Sequence, residues 1–176
     1  MKTRPSHRLS AAALSLVLTL ALGACKDEVA VIGQAAPALA ALDAQGAPVR
    51  LEQWRGKVVY LNFWSTGCGY CLAEMPRLDA LRQRYKDQVE VVAVNIDPDD
   101  MPIGEAPRPL QVSFPVLRDS MGITRDRYRV EGTPASFMIG ADGVLRQSYK
   151  GARSAERLEM VFREAAQTLA DGKGSR

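Results

Sequence analysis

The apolar residues of this chain fall into two kinds of run. Val58 to Phe63 is nearly continuous and rich in β-branched and aromatic side chains, and Val89 to Ile96 is similar, so both predict buried strands. Between them, Leu72, Met75, Leu78, Leu81 and Tyr85 recur at three- and four-residue spacing. That period predicts an amphipathic helix from Gly69 to about Lys86, kinked at Pro76. Strand, helix, strand is the βαβ signature of a parallel pair.

The flanking segments are shorter and more polar. "PALAALDAQGAPVRLEQWRGK" predicts a small hairpin around Ala44 to Ala47 and a short turn from Glu52 to Gly56. Pro98, Pro102, Pro107 and Pro109 argue for irregular structure between Asp97 and Val112. A short helix is expected over Ser120 to Tyr128, then two strands joined by a tight turn at Asp142-Gly143. The last element is a helix from Ser154 to Leu169, with Ser154 as cap, acids at Glu156 and Glu159, and an apolar stripe Leu158, Val161, Phe162, Ala165, Leu169. There is no internal repeat.

The first 25 residues follow a different rule. Lys2, Arg4 and Arg8 precede an apolar run from Leu9 to Leu22, too short for a spanning helix and ending in "LGAC". This resembles the lipobox of bacterial lipoproteins, which implies cleavage before Cys25, a lipid on Cys25 and attachment to a membrane. The expected organisation is a signal peptide over 1–24, a tether over 25–36, one domain over 37–170 and a disordered tail over 171–176.

Composition adds little to the fold but removes whole classes of function. With 176 residues, 47% hydrophobic and 24% charged, the chain is of one-domain size and ordinary globular composition. It has 23 Lys plus Arg against 20 Asp plus Glu; the leader holds three of the bases and no acid, so the mature body carries 20 of each and offers no basic surface for nucleic acid. The single histidine, His7, lies in the leader. A Cys-His hydrolase, a Ser-His-Asp triad and a His-assisted metal enzyme therefore lack their base in the mature chain.

What remains is thiol chemistry at "WSTGCGYC", Trp64 to Cys71. A structural zinc site wants four ligands, which a mature monomer does not supply from Cys and His. Two chains could share a four-thiolate zinc or copper(I) site. An inert disulfide closing so short a loop would constrain the unfolded chain very little. A redox pair fits the placement, since Cys68 falls where a strand ends and a helix begins, and the free N–H groups of a first helical turn favour a thiolate. Cys68 is then the nucleophile and Cys71, one turn further in, the resolving thiol.

The strand "VVYLNFW" running into W-x-x-x-C-x-x-C, followed by "LAEMP", "VVAVNID", "FPVLRD" and "VEGTPASFMIGADG", resembles the TlpA/ResA-like branch of the thioredoxin fold. These are membrane-tethered, extracytoplasmic thiol-disulfide oxidoreductases. The resemblance covers roughly Gly33 to Ala170. It implies an α/β thioredoxin-like fold, with a central mixed sheet flanked by helices and an N-terminal β-hairpin.

For the site, the resemblance implies that Cys68 attacks, that Cys71 resolves, and that Pro134 is cis beside them. Thr133 would offer its backbone to an extended substrate. Glu74, in C-x-x-C-x-x-E-x-P, would exchange a proton with Cys71, and Trp64 would shape the surface around the sulfurs. No cofactor and no metal are implied. The implied partners are protein disulfides, apocytochrome c or metal-site assembly proteins among them, with a membrane thiol-electron transporter as reductant and a periplasm-facing lipid anchor.

Three departures bear on that reading. "CGYC" looks like the active-site sequence of periplasmic disulfide isomerases, which makes an oxidant or isomerase the alternative, although the chain has no room for their dimerisation domain. The proline-rich stretch from Asp97 to Pro109 replaces a helix usual in relatives. "GTPASF" differs from the Gly-Ala-Pro-Glu-Thr form of dedicated cytochrome c maturation reductases. The Pro and Thr pattern that leads to a single peroxidatic cysteine is absent from Phe63 to Cys68.

Overall fold

In the computed structural model, residues 28–98 and 111–174 are described. The leader, Cys25, the start of the tether, most of the proline-rich stretch and the last two residues lie outside them. Five strands form one mixed sheet in the order β3-β2-β1-β4-β5: β1 Val58–Trp64, β2 Val89–Asn95, β3 Val116–Arg118, β4 Ala135–Ile139 and β5 Leu145–Lys150. The helices are α1 Gly69–Arg84, α2 Ile123–Arg127 and α3 Ala155–Gly174.

The central strands read as apolar runs because both of their faces are covered. Tyr60 and Trp64 of β1 and Val89, Val91 and Ala93 of β2 meet Met75 and Leu78 of α1 and Leu158 and Phe162 of α3. The alternate positions Val59, Leu61, Phe63, Val92 and Val94 pack on the other face against Tyr128, Phe137 and the N-terminal residues Ala41 and Val49. Parallel pairing runs in register from Val58↔Val89 to Trp64↔Asn95. It continues into β3 through Asn95↔Arg118, so the C-terminal ends of three strands come level.

The small hairpin expected around Ala44 to Ala47 forms: Asp43 N–H donates to the carbonyl of Ala47, Val49 N–H to that of Ala41, and Leu42 bridges Pro48 between them. On its other edge Leu42 exchanges both backbone hydrogen bonds with Arg118. Two elements differ from the sequence reading. The last helix, α3, runs on to Gly174, through residues 171–174 that the sequence reading assigns to a disordered tail. The helix expected over Ser120 to Tyr128 is confined to α2, because Asp119 accepts the amides of Thr124 and Arg125 and Gly122 adopts φ +69°. Residues 120–122 form the turn that this anchor requires. Pro76 sits inside α1, which continues to Arg84.

Candidate active site

Strand β1 ends at Trp64, and four residues later Cys68 caps α1. Its backbone is extended (φ −89°, ψ 93°) and its Sγ accepts the Cys71 N–H at 3.1 Å. That contact, with the free amides of the first turn, favours negative charge on Sγ. Cys68 and Cys71 are joined as a disulfide. Cys68 is half-buried, Cys71 is fully buried, and Tyr70 between them is 76% exposed. An incoming sulfur can therefore reach Cys68 and not Cys71.

The loop between β1 and α1 is fastened at two consecutive residues. Ser65 Oγ lies 3.1 Å from Thr133 Oγ1, and Thr66 N–H donates to Asp97 Oδ2 at 2.8 Å. Asn95 Nδ2 donates to the same oxygen at 2.8 Å. The peptide bond between Thr133 and Pro134 is cis. Because Ala135 pairs with Phe63, Pro134 stands beside the end of β1, and Thr133 is half-buried at the surface next to it.

Glu74 points inward from α1, one turn beyond Cys71, and is 7% exposed. Its Oε1 accepts the backbone N–H of Arg153 at 3.2 Å. Burial raises its pKa above the ordinary carboxyl value, against the lowering effect of that N–H and of the Arg153 and Arg77 charges. Beneath it, Tyr60 is fully buried, and burial raises its phenol pKa far above the ordinary tyrosine value.

The structure thus brings Cys68, Cys71, Glu74, Thr133 and Pro134 to one end of the sheet. Trp64 is corrected: it is fully buried and contributes no surface. Its position in β1 faces the layer of α1 and α3, so it supports the pair from below. Cys25 lies outside the described residues. Sequence reasoning gave no role to Asp97, although "VVAVNID" places it just past β2, at the strand end level with Trp64. Nor did it find Arg153, for which no local signal exists.

Residues 32–148 match the AhpC/TSA family. The chain is 36% identical over 140 residues to the thiol-disulfide oxidoreductase ResA of Bacillus thuringiensis subsp. konkukian (strain 97-27), covering 79% of this chain and 81% of that one. A crystal structure assigned as a thiol:disulfide interchange protein DsbE from Chlorobium tepidum superposes with a TM-score of 0.69 at 33% identity, over 78% of this chain and 99% of its own. The exposed lipoprotein thioredoxin of Streptococcus pneumoniae strain TIGR4 gives a TM-score of 0.62 at 25% identity, over 73% and 99%. By sequence and by fold, the chain belongs to the AhpC/TSA family, as a ResA-like thiol-disulfide oxidoreductase of the thioredoxin fold whose C-x-x-C pair is Cys68 and Cys71.

Proposed function

We propose that this oxidoreductase works as a reductant of protein disulfides outside the cytoplasm, held at a membrane by a lipid on Cys25. The observation that carries the cysteine roles is the asymmetry of the pair: Cys68 is accessible at a helix N-terminus and Cys71 is enclosed. In the reduced protein, the Cys68 thiolate attacks one sulfur of a substrate disulfide, forms a mixed disulfide and releases the other substrate sulfur as a thiolate. The Cys71 thiolate then attacks Cys68 Sγ, which forms the Cys68–Cys71 bond and releases the second substrate sulfur. Two electrons pass to the substrate, and a membrane thiol-electron transporter returns them.

In this reading Glu74 takes the Cys71 proton before resolution; its burial one turn beyond Cys71 and its raised pKa support that role. Thr133, beside cis-Pro134, offers the backbone edge for an extended substrate. The lipid anchor is supported by "LGAC" and by the lipoprotein relative from Streptococcus pneumoniae. Among the described residues no helix is long and apolar enough to cross a membrane.

The direction of electron flow is tested by equilibrating the purified full-length chain with glutathione buffers. A reduction potential near or below about −230 mV supports the reductase; one above about −180 mV refutes it and favours the oxidant or isomerase that "CGYC" resembles.

A further inference from the structure

The connection from β5 to α3 touches both functional elements beside the disulfide. Gly151 N–H donates to the carbonyl of Pro134 at 2.9 Å, and two residues on, Arg153 N–H donates to Glu74 Oε1. Gly151 has φ +79°, a conformation other residues adopt only with strain, and nothing lies near its missing Cβ. It turns the chain from the proline loop back toward α1. The Arg153 guanidinium lies over the Tyr149 ring, its carbon 3.9 Å from the centroid.

We propose that Arg153 is a positioning residue for the redox pair: its N–H and its Tyr149-stacked guanidinium hold the Glu74 carboxylate in place beneath Cys71. The inference rests on the reading of Glu74 as the proton acceptor. Burial beside Tyr60 and the core disfavours the charged carboxylate, the form that receives the Cys71 proton. One fixed cation at its side opposes that tendency, and an aromatic face keeps a flexible arginine where it is needed. The same connector fixes Glu74 relative to Pro134, so proton acceptor and substrate edge share one support.

The charged and titratable groups around Glu74 come from every adjoining element. Arg77 stands on α1, Tyr60 on β1, and Arg153 on the connector. Tyr149 lies on β5, where Arg157 and Glu164 of α3 also act on it. Among the described residues, only Arg153 joins a hydrogen bond to Glu74 with a charge held by packing.

The test uses the full-length chain with 13C-labelled glutamate. The titration of the Glu74 carboxyl is followed by NMR and assigned with Glu74→Gln, and the pH profile of insulin disulfide reduction is recorded in parallel. Arg153→Met keeps the backbone N–H and the apolar stem but removes the charge. It is expected to raise the Glu74 midpoint by about one pH unit and to move the pH profile of reduction in the same direction. Arg153→Lys, which keeps the charge, is expected to restore at least half of that shift. Tyr149→Leu, which removes the stacking face, moves the midpoint the same way as Arg153→Met and serves if that variant does not fold. A midpoint unchanged within about 0.3 unit in both Arg153→Met and Tyr149→Leu overturns the proposal. If Glu74→Gln leaves the pH profile unaltered, the proton role of Glu74 fails, while the NMR midpoint still decides whether Arg153 holds it.

Discussion

Replacing Asp97 by alanine removes, in one step, the acceptor for two buried donors. Thr66 N–H and Asn95 Nδ2 both donate to Asp97 Oδ2 at 2.8 Å. Asn95 is fully buried, and Thr66 and Asp97 are each 7% exposed, so water does not reach the abandoned donors unless the loop opens. A buried donor left unpaired costs about 1–3 kcal/mol, so two cost roughly 2–6 kcal/mol, and some relaxation of the loop puts the expected loss near 3 kcal/mol. For a domain of this size, that lowers Tm by roughly 6–12 °C. Asp97→Asn keeps one oxygen to accept the Thr66 N–H and is expected to lose about half as much. Urea denaturation of the oxidised protein measures both, and hydrogen exchange at the Thr66 amide reports the loop itself. A loss below about 1 kcal/mol for Asp97→Ala, with an unchanged m-value and no faster exchange at Thr66, would refute the claim that this carboxylate pins the loop carrying Cys68.

Two further expectations follow from burial. Glu74 binds its proton more tightly in the folded protein than the ordinary carboxyl value of 4.5. The folded state thus holds more protons than the unfolded state between that value and the raised one, and stability falls as pH rises through this window. Relative to wild type, Glu74→Gln should therefore gain stability at pH 7 to 8 and lose the advantage toward pH 4.5; Tm measured against pH checks it, and a constant offset would contradict the assignment. Phe162 of α3 is fully buried, with its ring centroid 5.2 Å from that of Tyr60 and 6.2 Å from that of Tyr85. Phe162→Ala should cost about 3–5 kcal/mol in urea unfolding, and a loss under about 1 kcal/mol would show that α3 does not seal this face of the sheet.

Much of the molecule was legible from its sequence because the signals are local. The apolar runs at Val58 to Phe63 and Val89 to Ile96 are β1 and β2, the three- and four-residue period after Cys71 is α1, and Asp142-Gly143 turns β4 into β5. The pair at the junction of β1 and α1 placed the candidate chemistry at one end of a strand, helix, strand unit, and the family resemblance alone added "GTP" and the Glu of "C-x-x-C-x-x-E" to it. The hairpin at Ala44 to Ala47 was legible from its turn residues, whereas the pairing of its Leu42 with Arg118 joins residues that no local period can connect.

What only the tertiary structure decided are the contacts between distant segments. Ser65 meets Thr133 across 68 residues, Thr66 meets Asp97 across 31, and Glu74 meets Arg153 across 79. Sheet register selects these partners, since pairing Phe63 with Ala135 and Trp64 with Asn95 fixes which loops share an end of the sheet. The same register turned Trp64 inward, although as an aromatic next to the cysteines it read as surface. Residue order determined the elements and the reactive pair, because periodicity and helix-end chemistry act over a few residues. The environment that makes the pair and Glu74 asymmetric came from packing two layers onto one sheet, because burial depends on what the rest of the chain brings to each face.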